Sequence, residues 1–205
     1  MGSEMCIRDS RGLYSWKRCF MHISVLLQDL RRRFPAYSVQ RLILVDAFQQ
    51  CLLLIDNGQA IGSWVISTAE AGLGNCKNSS QTPLGVHRIA QCFGEGAPLG
   101  AIFKARQNTG KVAEILTTPC VRSQTDNITT RILWLDGLEP GVNKGGAVDS
   151  FERYIYIHGT DEEGRLGVPA SHGCVRMSNQ DIVDLYHLVV VDTLVVIVGR
   201  SVTGY

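Results

Sequence analysis

The run Arg41–Ile66, RLILVDAFQQCLLLIDNGQAIGSWVI, decides the architecture. Two short apolar runs, RLILV and CLLLI, lead into Asp56-Asn57-Gly58, and a third run returns from Ile61 to Ile66. Asn-Gly between apolar runs predicts a tight hairpin, because both central turn positions need positive φ. Apolar runs this short, bounded by turn residues, read as strands and not as helices.

The same texture continues toward the C-terminus. A polar, glycine-containing loop over 67–81 precedes TPLGVHRI, a strand entered through Pro83 and Gly85. Further strands are expected over 101–106, 130–135 and 153–158, separated by loops carrying Gly94, Gly96, Gly141, Gly145 and Gly146. The terminal LVVIV reads as a buried strand. Two segments break the pattern. Ile23, Leu26, Leu27 and Leu30 recur at helical spacing up to Pro35, and Ser178 with Asp181 caps a second apolar face of Ile182, Leu185, Tyr186 and Val189. The expectation is a mainly β protein with one or two short helices, without the strand–helix alternation of a parallel α/β sheet. It divides into an N-terminal extension with a short helix, 1–38, and one domain, 39–205.

At 205 residues the chain holds a single core, and 45% hydrophobic against 19% charged residues is a folded composition. A net charge of +1, with one short basic run at Arg31-Arg32-Arg33, offers no field to hold nucleic acid. Seven cysteines at wide spacing, none in a C-x-x-C pair, indicate neither a disulfide framework nor a zinc ribbon. No apolar stretch reaches membrane-spanning length, and the apolar segment near Cys19–Leu27 has its charges on the wrong side for an export signal. A cytoplasmic protein, monomeric and without cofactor, is therefore expected. The opening MGSEMCIRDS, lacking periodicity, reads as extraneous to the domain, with Met21 a plausible start.

Chemistry concentrates in two segments. In RYIYIHG, alternation along a strand sends Ile155 and Ile157 to the core and groups Tyr154, Tyr156 and His158 on the other face. In SHGCVRM an extended chain would likewise place His172, Cys174 and Arg176 on one side. A cysteine attacks as thiolate, so it needs a base or a cation nearby, and either His158 or His172 supplies one. Gly173 permits close backbone approach, the adjacent N–H groups are candidate oxyanion donors, and Arg176 offers a fork suited to a carboxylate.

These two segments, His158-Gly159-Thr160 followed by Ser171-His172-Gly173-Cys174-Val175-Arg176-Met177, resemble the hallmark of the L,D-transpeptidase catalytic domain, the YkuD or ErfK/YbiS-like family. QTPLGVHRI is similar to the family's Thr-Pro-x-Gly strand, and the resemblance covers about residues 40 to 200. It implies a β-sandwich-like catalytic fold acting in bacterial cell wall biogenesis. Cys174 would attack the carbonyl between a diamino acid and the terminal D-alanine of a peptidoglycan tetrapeptide. His158 would be the base, oriented by the Gly159 carbonyl. Ser171, His172, Gly173 and Arg176 would line the oxyanion and substrate site. The thioester would pass to a stem amine, giving transpeptidation, or to water, giving an L,D-carboxypeptidase. Such wall enzymes usually work in the periplasm or cell envelope, whereas the many free cysteines suit a reducing compartment and the carboxypeptidase. Two other classes stand beside these: His158, His172 and Cys174 as zinc ligands, and a non-catalytic wall-binding module. Trp64 and Trp134 read as core, and His187 as a cation in the last turn of a helix.

Overall fold

A computed structural model describes residues 19–199, with side chains from Ile23 onward. The opening ten residues, and Cys6 and Cys19 as thiols, lie outside what is described. In chain order the elements are α1 (Cys19–Arg33), β1 (Arg41–Asp46), β2 (Cys51–Asp56), β3 (Gln59–Val65), β4 (Gly85–Phe93), β5 (Ala101–Lys104), β6 (Gln107–Val112), β7 (Ile128–Gly137), β8 (Tyr156–Thr160), β9 (Val175–Met177), α2 (Asn179–Leu188) and β10 (Leu194–Val198). One mixed sheet contains all the strands. Its main path runs β3-β2-β1-β10-β4-β7-β5-β6, and β8 branches from β7 to carry β9.

The first hairpin forms as its turn residues require: Asn57 and Gly58 have φ of 49° and 78°, and β2 pairs antiparallel with β3 across them. RLILV and LVVIV are apolar at nearly every position because β1 and β10, paired in parallel, are covered on both faces. On one face α1 lays Ile23, Leu27 and Leu30 against Leu42, Leu44, Leu53, Ile55, Leu194 and Val196. On the other, Ile43, Val45, Leu52, Leu54, Val195 and Ile197 meet α2 and the inward residues of β8 and β9, Ile157, Val175 and Met177. The branch thus folds over the main sheet and encloses the larger core in the manner of a sandwich. Removing a fully buried side chain there, such as Leu54, costs roughly 2–5 kcal/mol in lost transfer energy and cavity.

Three local expectations shift. The strand expected over 101–106 ends at Lys104 and turns through Ala105 and Arg106, with φ of 46° and 68°, into β6, a strand without apolar alternation in its sequence. The strand expected over 153–158 starts at Tyr156, because Tyr154 adopts φ 56° in a preceding turn. The extended SHGCVRM is extended only from Val175, because Gly173 at φ +135° resets the alternation ahead of it. The cap of α2 is as expected, Ser178 Oγ accepting from the Asp181 N–H at 3.1 Å.

Candidate active site

The parallel pairing of β8 with β9 builds the site. Its register sets Ile157 beside Val175 and His158 beside Arg176. Partners in a parallel ladder share a face, so Ile157 and Val175 enter the core while His158, Arg176, Tyr156 and Cys174 gather on the opposite side.

Cys174 is half-buried against the second face's aromatic cluster of Trp134, Tyr156 and Phe151. Its Sγ accepts from the Tyr156 N–H at 3.4 Å and lies 3.5 Å from the Tyr154 carbonyl. The turn ahead of it is fixed by side chains. Ser171 Oγ donates to the Cys174 carbonyl at 2.6 Å and accepts from the Gly173 N–H at 3.2 Å, while Thr82 Oγ1 donates to the Gly173 carbonyl at 2.9 Å. Solvent exclusion pushes the thiol up to about 11, with Asp126 adding to the rise and the Tyr156 N–H, Arg176 and Arg153 opposing it.

His158 is 3% exposed. Its Nδ1 lies 2.7 Å from the Gly159 carbonyl. A carbonyl only accepts, so that nitrogen carries the proton and the Nε2 lone pair is left for chemistry. Burial brings the ring down to about 4, and Arg176 lowers it further against the pull of Gly159, Asp126 and Asp161. At neutral pH both sulfur and imidazole are therefore uncharged. The site at rest thus holds a thiol and a neutral imidazole, not an ion pair. Gly159 is required by space: a Cβ there would sit 2.8 Å from the Thr129 carbonyl and 2.9 Å from Asn179 Oδ1. Asn179 itself clamps the floor of the site, accepting from Thr129 Oγ1 at 2.7 Å and donating to the Thr160 carbonyl at 2.9 Å.

The other motif residues separate. Arg176, expected as a carboxylate fork toward substrate, is 1% exposed and turned into the protein. One guanidinium nitrogen is 2.8 Å from Glu162 Oε2 and another 2.5 Å from Asp126 Oδ1. Its fork is engaged by internal carboxylates, and it acts on the site as a fixed charge under His158. His172, expected on the same side as Cys174, swings outward with 74% of its side chain exposed, its Nδ1 2.7 Å from Asp126 Oδ2. The N–H of Gly173, a candidate oxyanion donor, is already given to Ser171. Sequence reading missed Asp126, Glu162, Thr82 and Arg153. The last donates to the carbonyls of Asn75 and Gln81, at 2.9 and 2.6 Å, and so pins the neighbouring loop with its positive charge in range of Cys174. Only Thr82 had a signal, inside the Thr-Pro-x-Gly stretch. Arg131, Asn143 and Lys144 serve the scaffold, bonding to the Ala97 carbonyl, the Val86 carbonyl and Asp136.

The zinc alternative needs His158, His172 and Cys174 to converge, and among the described residues no group of three or more His, Cys, Asp or Glu side chains is placed to hold an ion. Among them, too, no helix is long and apolar enough to cross a membrane.

A carbonyl-oriented imidazole on β8 and a cysteine just ahead of β9, with a buried arginine beside them, form the candidate site. The chain matches the model of the YkuD family, the L,D-transpeptidase catalytic domain, over residues 40–197, and it belongs to that family. No curated protein matches it. Among solved structures it is similar to an L,D-transpeptidase from Mycobacterium smegmatis, at 15% identity and a TM-score of 0.45, covering 78% of this chain and 59% of that one. It is also similar to L,D-transpeptidase 3 from Mycobacterium tuberculosis, at 13% and 0.49, covering 78% and 61%. An Enterococcus faecium L,D-transpeptidase variant matches at 16% and 0.47, covering 78% and 50%. The chain thus spans between half and about three-fifths of these proteins' lengths.

Proposed function

We propose that this chain is a cysteine acyltransferase on peptidoglycan stem peptides, cleaving the bond between the diamino acid and the terminal D-alanine of a tetrapeptide and passing the acyl group to an amine of a second stem. The observation that supports the reading is the register of β8 on β9, which pairs His158 with Arg176 two residues after Cys174, together with the commitment of the histidine's Nδ1 to the Gly159 carbonyl. Cys174 Sγ bonds to the carbonyl carbon as its proton passes to His158 Nε2, and the carbonyl oxygen takes up the negative charge. Collapse breaks the C–N bond, the imidazolium returns its proton to the departing D-alanine nitrogen, and a thioester remains. The acceptor amine attacks the thioester, gives its proton to the same imidazole, and the imidazole reprotonates the leaving sulfur. With the Gly173 N–H occupied, we assign the oxyanion to the backbone at Cys174. His172 lies at the rim, where an incoming stem would touch it.

A second reading keeps the same thioester and replaces the amine by water, making the protein an L,D-carboxypeptidase of stem-peptide recycling. The free, exposed thiols of Cys76 and Cys120 favour it, because they suit a reducing compartment. Purified protein incubated with disaccharide tetrapeptide, alone and with an acceptor stem, distinguishes the two by product mass. Cross-linked dimer supports transfer and tripeptide alone supports hydrolysis. No product, or turnover that survives Cys174→Ala, refutes both.

A further inference from the structure

The burial of Arg176 leaves the site without the carboxylate fork that its motif suggested, and a different cation stands at the Tyr156 hydroxyl. Arg106 sits at the tip of the β5–β6 hairpin, half-buried, in a turn held at positive φ by two residues that are not glycine. Its guanidinium carbon is 4.5 Å from the centre of the Trp134 ring and 5.4 Å from that of Tyr154, and one nitrogen, Nη1, donates to the Tyr156 hydroxyl at 3.1 Å. The platform beneath it is rigid. Trp134 stacks on Phe151 with centroids 3.9 Å apart and an interplanar angle of 3°, and its indole N–H donates to the Phe151 carbonyl at 3.2 Å.

Two features make this arginine unlike the others around the site. Arg176 and Arg165 are paired with carboxylates, and Arg153 is engaged by backbone carbonyls. Among the described residues Arg106 has no acidic partner, and Tyr156 is its single hydrogen-bond acceptor. Among the described residues, nothing bonds to the edge formed by Nε and Nη2, the edge that grips a carboxylate with two parallel hydrogen bonds. Its second feature is its neighbour. Tyr156 gives its backbone N–H to the Cys174 sulfur at 3.4 Å while its hydroxyl holds Arg106, so one residue links nucleophile and cation. Both also act on the Tyr156 phenol, Arg106 lowering and Cys174 raising its proton affinity within a net rise due to burial.

We propose that Arg106 is the specificity-determining anchor of the site, gripping the C-terminal carboxylate of the residue that leaves. The assignment rests on the reading above, in which the scissile carbonyl faces Cys174 and the peptide ends one residue beyond it. At roughly 3.5 Å of chain per residue, a terminal carboxylate running from the sulfur along Tyr156 would meet the guanidinium held at that residue's hydroxyl. Stacking on two rings removes much of the guanidinium's freedom before substrate arrives, so less is lost on binding. A planar, monoanionic acid fits a single fork, whereas an amide in its place would face the fork with a donor of its own.

The test compares disaccharide tetrapeptide ending in D-alanine with the same peptide ending in D-alaninamide, using wild type, Arg106→Gln and Arg106→Lys. Wild type is expected to prefer the acid by about 10- to 100-fold in kcat/KM, the usual worth of hydrogen bonds to a charged group. In Arg106→Gln that preference collapses toward unity, mostly through KM for the acid, and Arg106→Lys falls between. An unchanged alkylation rate at Cys174 certifies that the variants are folded. If Arg106→Gln keeps the wild-type preference, or wild type cleaves acid and amide equally, the anchor is refuted while the acyltransferase reading stands. If wild type cleaves neither, the functional reading fails and the anchor falls with it.

Discussion

Alkylation of Cys174 by iodoacetamide is expected to accelerate about tenfold per pH unit from about pH 6 to about pH 10, without a plateau. The reagent reacts with thiolate, and a thiol pushed up to about 11 holds only about one part in ten thousand as thiolate at pH 7. With an ordinary value of 9.0 the fraction would be about a hundredfold higher. His158 sits near 4, so it contributes no imidazolium to stabilise the sulfur anion at neutral pH. His158→Ala should accordingly leave the alkylation rate within about threefold while acyl transfer is lost, because the imidazole acts only when substrate carbon meets sulfur. The Cys174-containing peptide, followed by mass after timed quenching, separates this thiol from the other cysteines. A rate that levels off near neutrality, or that falls more than about tenfold in His158→Ala, would show a standing thiolate–imidazolium pair and refute this protonation scheme.

Acid should destabilise the protein through two buried, neutral histidines among the described residues. His87, held between the Gly85 carbonyl and Ser150 Oγ, is lowered by burial to about 4, as is His158. Between about pH 6.5 and 4 the unfolded chain binds the extra protons, so stability declines as pH falls by up to about 1.4 kcal/mol per unit for each histidine. Urea midpoints at several pH values should show this, and His87→Gln should remove about half the slope; an unaltered slope would discredit it. Arg176→Met should cost about 3–5 kcal/mol in urea unfolding, because Asp126 keeps only the exposed His172 and a buried Glu162 loses one of two arginines. Adding Asp126→Asn should recover part of that loss, and a single variant within about 1 kcal/mol of wild type would contradict the role given to the buried charges.

The sequence was most legible where local chemistry and tertiary demand agree. Asn57-Gly58 has one comfortable conformation and adopts it, and the uninterrupted apolar runs of β1 and β10 carry burial on both faces in their composition. The motif segments around His158 and Cys174 come together because β8 and β9 pair in parallel. The misses have a common cause. Ala105-Arg106 carries no turn signal, and β6 is exposed at every position, so neither turn chemistry nor alternation marks that hairpin. Arg176 and His172 part company because one glycine's φ resets the pattern, and because the carboxylates that draw them, Asp126 and Glu162, lie far off in the chain. Arginine's preference for a carboxylate follows from its type, but the expected partner was a substrate acid and the structure pairs Arg176 with Asp126 and Glu162.

The loop over 67–82 has a consequence for how the enzyme tolerates change. Ser67 exchanges two backbone hydrogen bonds with Arg176, at 2.9 and 2.8 Å, Thr68 accepts from Ala170 and Ser171, and Thr82 holds the Gly173 carbonyl at 2.9 Å. Surface loops usually absorb an inserted residue with little effect. This one is sewn to the chain on both sides of Cys174, so its length gauges the height of the sulfur, and under the proposed mechanism an insertion there would be felt as a misaimed attack rather than as lost stability.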